Sequence, residues 1–307
     1  MIQRIFLGGL LIAAASAASA ATNRPDGYVT ICRIGESCSV STSTNVAFGA
    51  SGQFVFKVLT GSFNCAVATF GSDPIPSKSV KECSIPEGSS GGGGSTPPPA
   101  TGSVTGSSCS TSGSQTTVNE TIRVTSGTYD GGCRRFNAGS GLGDGGQSEG
   151  QDPVFRVENG ATLRNVVIGA NGADGIHTYN GAVLDNIYWM NVGEDALTIK
   201  SSGTTTVRNI EGYDAEDKFF QVNAASTLNV SNCIIHRAGK ALRQNGGTTF
   251  KIAVTFDACD INTMREGVFR TDSSSSTARL TNSRLHNAGS VCIGSWASCT
   301  QSGNTSY

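Results

Sequence analysis

Four asparagines constrain the second half of this chain more than any other feature. Asn165, Asn186, Asn209 and Asn232 are spaced 21, 23 and 23 residues apart. They occupy matching positions in "ENGATLRNVVI", "YNGAVLDNIYW", "SGTTTVRNIEG" and "AASTLNVSNCI". Looser copies follow in "TFKIAVTFDACDI" and "SSTARLTNSRL". A repeat of about this length, built of short apolar strands and lacking helical periodicity, predicts an all-β, right-handed parallel β-helix with one turn per repeat. The asparagines are expected to stack at a turn and bond backbone groups. A leucine-rich solenoid has a similar period but requires an LxxLxLxxN frame and a helical stretch in each repeat, and neither is present.

Composition agrees with a turn-rich β protein: charged residues are 15% of the chain and Gly contributes 40 of 307 positions. A net charge of -1 gives no bulk attraction to a polyanion, so nucleic acid is not an expected partner. The chain opens with Arg4, an apolar run from Ile5 to Ala15 and small residues around Ala18 and Ala20, the pattern of a secretory signal peptide over residues 1–20. No later run has the length of a membrane span. The protein is therefore expected to be secreted, extracellular and monomeric. Its ten cysteines then belong to an oxidising compartment and, with no CxxC pairs, read as disulfides rather than zinc ligands.

Residues 87–108, "EGSSGGGGSTPPPATGSVTGSS", lack apolar periodicity and read as a linker. Before them, residues 21–86 form a small β module whose Cys32, Cys38, Cys65 and Cys83 would supply two stabilising disulfides. Through "CRIGESCSV", "FGASGQFVFKVL" and "FNCAVATFGSDP" it resembles small modules attached to secreted bacterial polysaccharide-degrading enzymes, with either a carbohydrate-binding or a structural role. The solenoid domain covers residues 109–307. There Cys109 with Cys133 would tie down the first turn, and Cys292 with Cys299 the last. Cys233 and Cys259 lie one repeat apart, either as a bridge or as buried thiols.

Aligned by their asparagines, the repeats continue as "NGADGIHTY", "NVGEDALTIK", "YDAEDKFFQ", "HRAGKALRQ" and "MREGVFRTD". Asp174, Asp195 and Asp217 are read as one column, with Glu194 and Glu216 one position earlier. Neighbouring members would lie ~4.8 Å apart. Two carboxylates at that distance repel by roughly 3 kcal/mol at an effective dielectric of ~20, so the stack calls for protons or a hard cation; secretion favours Ca²⁺. Lys218, Lys240 and Arg243 follow, and bases beside a metal suit β-elimination of a uronic acid polymer. A nearby Ca²⁺ and cationic neighbours are expected to lower the pKa of Lys218 and to favour alkaline activity. Asp214 reads as a surface residue. Phe219 and Phe220 should alternate, one packing inward and the other flanking the groove.

At these residues the chain resembles the small calcium-dependent pectate lyases of polysaccharide lyase family three. The motifs are "ETIRV", "GDGGQSEGQDPVF", "GATLRNVVIG", "ADGIH", "GEDALTIKSSGT", "DKFFQVNAA", "GKALRQNGGTT" and "FRTDSSSSTARL", in order over Thr117 to Tyr307. The resemblance implies cleavage of de-esterified pectin, the polygalacturonate of plant cell walls, to 4,5-unsaturated oligogalacturonates. It assigns Lys218 as base and Arg243 as the residue that polarises the substrate carboxylate. Lys240 is assigned to substrate, Glu149 to the cleft, and Asp174, Glu194 and Asp195 to calcium, with Asp217 close by. Lys200 either binds substrate or pairs with an acid. Lys240 and Arg243 have opposite strand parity, so both line one cleft only if a bend separates them. His177 is a weaker candidate base. Two other readings use the same fold: an inverting polygalacturonase, built on carboxylates and water, and a non-catalytic pectin-binding solenoid.

Overall fold

The computed structural model describes residues 23–25, 28–86, 91–92, 104–146, 148, 150–169, 171–190, 192–193 and 195–307. The segment read as a signal peptide, most of the segment read as a linker, Glu149 and Glu194 lie outside the described residues. Among those described, no helix is long and apolar enough to cross a membrane.

The repeats form a parallel β-solenoid. Thr162–Ile168 pairs in parallel with Ala182–Trp189, that strand with Thr204–Tyr213, and the stack continues through Ser226–Gln244 and Ile252–Thr271. These strands bend at the asparagine column, where Asn165, Asn186, Asn209 and Asn232 have φ of 54°, 61°, 56° and 50°. Asparagine tolerates this left-handed conformation because its short polar side chain finds local partners. Asn186 donates to Asn165 Oδ1 at 2.9 Å and Asn232 to Asn209 Oδ1 at 2.9 Å. Asn165 and Asn209 donate to Asp130 and Asp185. The backbone groups bonded by this column belong to a distant segment. Asn186 Oδ1 accepts from the N–H of Ser108, and Asn232 Oδ1 from those of Thr105 and Gly106. The end of the segment read as linker is thus a strap lying along the ladder, and Cys109–Cys133 anchors it.

A second stack carries the site: Phe155–Glu158, Ile176–Tyr179, Leu197–Ile199 and Lys218–Val222, continued by the later part of Ser226–Gln244, then Ile252–Thr271 and Ser290–Gly294. The interior between the sheets is filled by aliphatic side chains with a run of aromatic rings in contact among them. Phe219 meets Trp189 at 5.4 Å and Phe220 at 5.0 Å, and Phe256 follows Phe220 at 5.7 Å. Both Phe219 and Phe220 are 0% exposed, so neither flanks a groove as strand alternation had predicted. Gly212 makes room, since a Cβ there would stand 2.4 Å from the Phe219 ring.

The N-terminal module is an antiparallel sheet of Tyr28–Arg33, Glu82–Pro86, Ser37–Ala50 and Gln53–Asn64 in that spatial order. Gly91 and Gly92 add to Ser37–Ala50. Its bridges are Cys32–Cys38 and Cys65–Cys83. Cys233–Cys259 is a bridge rather than two thiols, and Cys292–Cys299 staples the last turn.

Ala258, with φ 51°, stands opposite Asn232 in the ladder and has neither a polar tip nor a low-strain left-handed conformation. Ala258→Asn is expected to raise stability by about 1 kcal/mol. Thermal unfolding checks this, and a lower melting temperature would show that the ladder is not a source of stability.

Candidate active site

The inter-turn register fixes which residues share a column. Ile176 pairs with Leu197, Leu197 with Phe220 and Phe220 with Leu242. Two residues earlier in each strand stand Asp174, Asp195, Lys218 and Lys240, and the Lys218–Lys240 pairing is direct. The column is therefore two acids followed by two lysines. Asp217 does not belong to it, contrary to the sequence alignment. It lies one residue earlier, level with Gly239, whose missing side chain lets the next turn close over it: a Cβ there would meet Asp217 O at 2.1 Å.

The bend demanded by Lys240 and Arg243 is present in four successive turns. Two consecutive buried residues separate the polar ones: Gly175–Ile176, Ala196–Leu197, Phe219–Phe220 and Ala241–Leu242, of which all but Gly175 pack in the hydrophobic core. Flanking positions three apart consequently fall together. His177 Nε2 donates to Asp174 Oδ2 at 2.6 Å, and Thr198 Oγ1 donates to Asp195 Oδ2 at 3.2 Å. The second column then runs His177, Thr198, Gln221, Arg243 and Arg270 by register.

Charge is unevenly satisfied along the acid–lysine column. Lys218 Nζ lies 3.3 Å from Asp195 Oδ1 and 3.2 Å from Asp217 Oδ2. Lys240 Nζ lies 2.5 Å from Asp217 Oδ1 and 2.7 Å from Glu266 Oε1. Both oxygens of Asp217 are thus engaged by lysines. Asp174 and Asp195 differ: each is nearly buried, and Oδ1 of each lacks a well-directed hydrogen bond. Asp195 Oδ1 has its ion pair with Lys218 but no more. Burial, aided by the Asp174 charge, pushes the Asp195 carboxyl up to about 7 despite that lysine. Burial alone would lower the ammonium of Lys218, but Asp195 and Asp217 outweigh it and hold the pKa above the usual lysine range. This is the reverse of the lowering expected from sequence, which presupposed a bound cation. Asp174 and Asp195 thus offer carboxylates in adjacent turns, one with an oxygen lacking a partner and one with an oxygen held only by Lys218, and carboxylate oxygens are the donors a hard divalent cation takes, so the residues fit Ca²⁺.

Lys200 Nζ is 3.7 Å from Asp174 Oδ2, so it pairs with an acid of the column. Arg243 turns its guanidinium to Asp272, with contacts of 3.0 and 3.5 Å. Glu266 and Asp272, which hold Lys240 and Arg243, were missed in the sequence although both lie in the aligned "MREGVFRTD" fragment. His177, buried and with its pKa lowered by that burial, is the partner that orients Asp174.

Asp214 is not a surface residue. It is 3% exposed and held by Arg33 at 2.5 Å and Arg237 at 2.8 Å, with Arg237 continuing to Glu36 at 2.9 Å. Both guanidiniums lie 5.0 Å from the Tyr213 ring. Arg33 and Glu36 come from the N-terminal module, so the module is docked beside the site.

His177→Ala would leave Asp174 Oδ2 without its buried donor. A loss of about 1–3 kcal/mol in denaturant unfolding is expected; an unchanged midpoint would mean that Lys200 suffices.

A protein named probable pectate lyase E from Neosartorya fischeri is 39% identical over 125 residues, covering 39% of this chain and 48% of that protein. Pectate lyase E from Emericella nidulans is 37% identical over 128 residues, covering 40% of this chain and 50% of its own length. The chain thus spans about half the length of these curated relatives. The structure of pectate lyase PelI from Erwinia chrysanthemi in complex with tetragalacturonic acid covers 95% of this chain and 98% of its own, with a TM-score of 0.50 and 18% identity, a likeness of fold. The family model described as pectate lyase matches residues 106–302, nearly two thirds of the sequence and the whole of the acid–lysine column, and the chain belongs to the pectate lyase family.

Proposed function

We propose that this chain is a secreted, calcium-dependent pectate lyase. On this reading it cleaves de-esterified polygalacturonate by β-elimination and leaves 4,5-unsaturated oligogalacturonates. The observation that carries the reading is the column itself: a buried acid pair, Asp174 with an oxygen lacking a partner and Asp195 paired to Lys218, continued at the same inter-turn spacing by Lys218 and Lys240.

Asp174 and Asp195, with Glu194, would hold calcium, which when bound draws charge from the C6 carboxylate of a galacturonate and makes its C5 proton more acidic. Asp195 so engaged no longer supports the ammonium of Lys218, and Lys218 can then lose its proton and act as base. Lys218 takes the C5 proton, that bonding pair forms the C4–C5 double bond, and the C4 glycosidic oxygen leaves. Asp217 holds Lys218 and Lys240 on either side of itself and so sets their spacing. Arg243 offers a bidentate fork to the substrate carboxylate in competition with Asp272. Lys240, and Glu149 at the cleft, would bind the chain. A hydrolase such as a polygalacturonase needs carboxylates and a water, and has no use for a lysine paired to the acids. Residues 21–86 are read as a separate module and 109–307 as the lyase domain.

The expected result with polygalacturonate is rising ultraviolet absorbance from unsaturated product, abolished by a chelator. Lys218→Ala should lower kcat about 10²- to 10⁴-fold and leave most binding intact. Reducing ends without absorbance would overturn the elimination. Asp217→Asn is expected to act differently, lowering kcat while leaving Ca²⁺ affinity in calorimetry within about twofold of the parent, because its oxygens serve the two lysines. A large loss of Ca²⁺ affinity would instead make Asp217 a ligand.

A further inference from the structure

The docking of the N-terminal module carries a consequence for substrate binding. Arg33 and Glu36 fix the module to Asp214 and Arg237. A second contact lies nearer the site: Ser79 Oγ donates to Glu216 Oε1 at 3.3 Å. Glu216 immediately precedes Asp217, whose carboxylate carries Lys218 and Lys240. A module loop therefore reaches the rim of the acid–lysine column. Its neighbouring residue, Lys78, is half-buried and has no carboxylate partner among the described residues. Lys81, in the same loop, is buried and already paired with Asp73 at 3.2 Å, which leaves Lys78 as the loop's unpaired cation.

From this placement we infer that the module is a fixed wall of the cleft and that Lys78 binds a carboxylate of a polyuronate chain extending beyond the residue cleaved. The inference rests on the reading of the site as one for polygalacturonate. It concerns affinity only and assigns Lys78 no part in bond breaking. An anionic chain seated over Lys218 and Lys240 meets Glu216 at the rim, and a cation there offsets that acid.

The test is native electrophoresis of the full chain through gels containing polygalacturonate, with a neutral cellulose derivative as control. Lys78→Glu is expected to raise the apparent Kd for polygalacturonate about 3- to 10-fold and to change nothing in the neutral gel. Arg33→Gln, which loosens the module while keeping Lys78, should reproduce the loss. Wild-type retardation by Lys78→Glu would overturn the inference, as would equal loss in both gels. Binding is read without turnover, so the two readings fail separately. Retardation lost in Lys78→Glu with no unsaturated product from the wild type removes the lyase chemistry and keeps this site. Product formation with undiminished retardation does the opposite.

Discussion

Parallel hydrogen bonding between successive turns is the constraint on which everything else in the solenoid depends. It holds equivalent residues of adjacent turns at one spacing, so that whatever stands at one position stacks on its counterpart in the next turn. Where the stacked groups are asparagines the repetition is favourable, because amides bond amides. Where they are carboxylates the same geometry concentrates charge that burial keeps from water. Asp174 above Asp195 is a pair that the backbone register enforces and that the side chains alone would avoid.

The site follows from a second regularity. A pair of inward residues between two polar ones turns each short strand through a corner, so positions three apart face the same side. Asp174 with His177 and Asp195 with Thr198 are expressions of one local backbone shape. Substituting side chains at the outward positions changes the chemistry from acid to base without altering the corner. A scaffold of this kind can thus place a cation site and a base in adjacent turns with no loop of its own.

Much of this was legible in the sequence, and the misses have identifiable causes. The asparagine period fixed the fold, because only a few residues accept the left-handed turn that it marks. The same period also held the correct register. Lys218 lies nine residues after Asn209, as Asp174 does after Asn165 and Asp195 after Asn186; chemical likeness drew Asp217 into the column and overrode the count. Phe219 and Phe220 were misread because strict alternation belongs to straight strands, and these turn a corner. Asp214 was misread because its partners Arg33 and Arg237 are set by docking of a module far away in the chain. The raised pKa of Lys218 was out of reach for a similar reason, since it depends on which acids remain uncompensated around it.

The strap over the asparagine ladder has a consequence for folding. In a repeat array, stability is approximately a sum over neighbouring units, and the ends are free to fray one unit at a time. Residues 105–109 bond to Asn232 and Asn186 at once and are covalently joined to Cys133, so one short segment spans non-adjacent turns. That tie converts part of a one-dimensional array into a cooperative block. Its sequence separations of 78 and 127 residues make its closure cost more chain entropy than the pairing of one turn with the next.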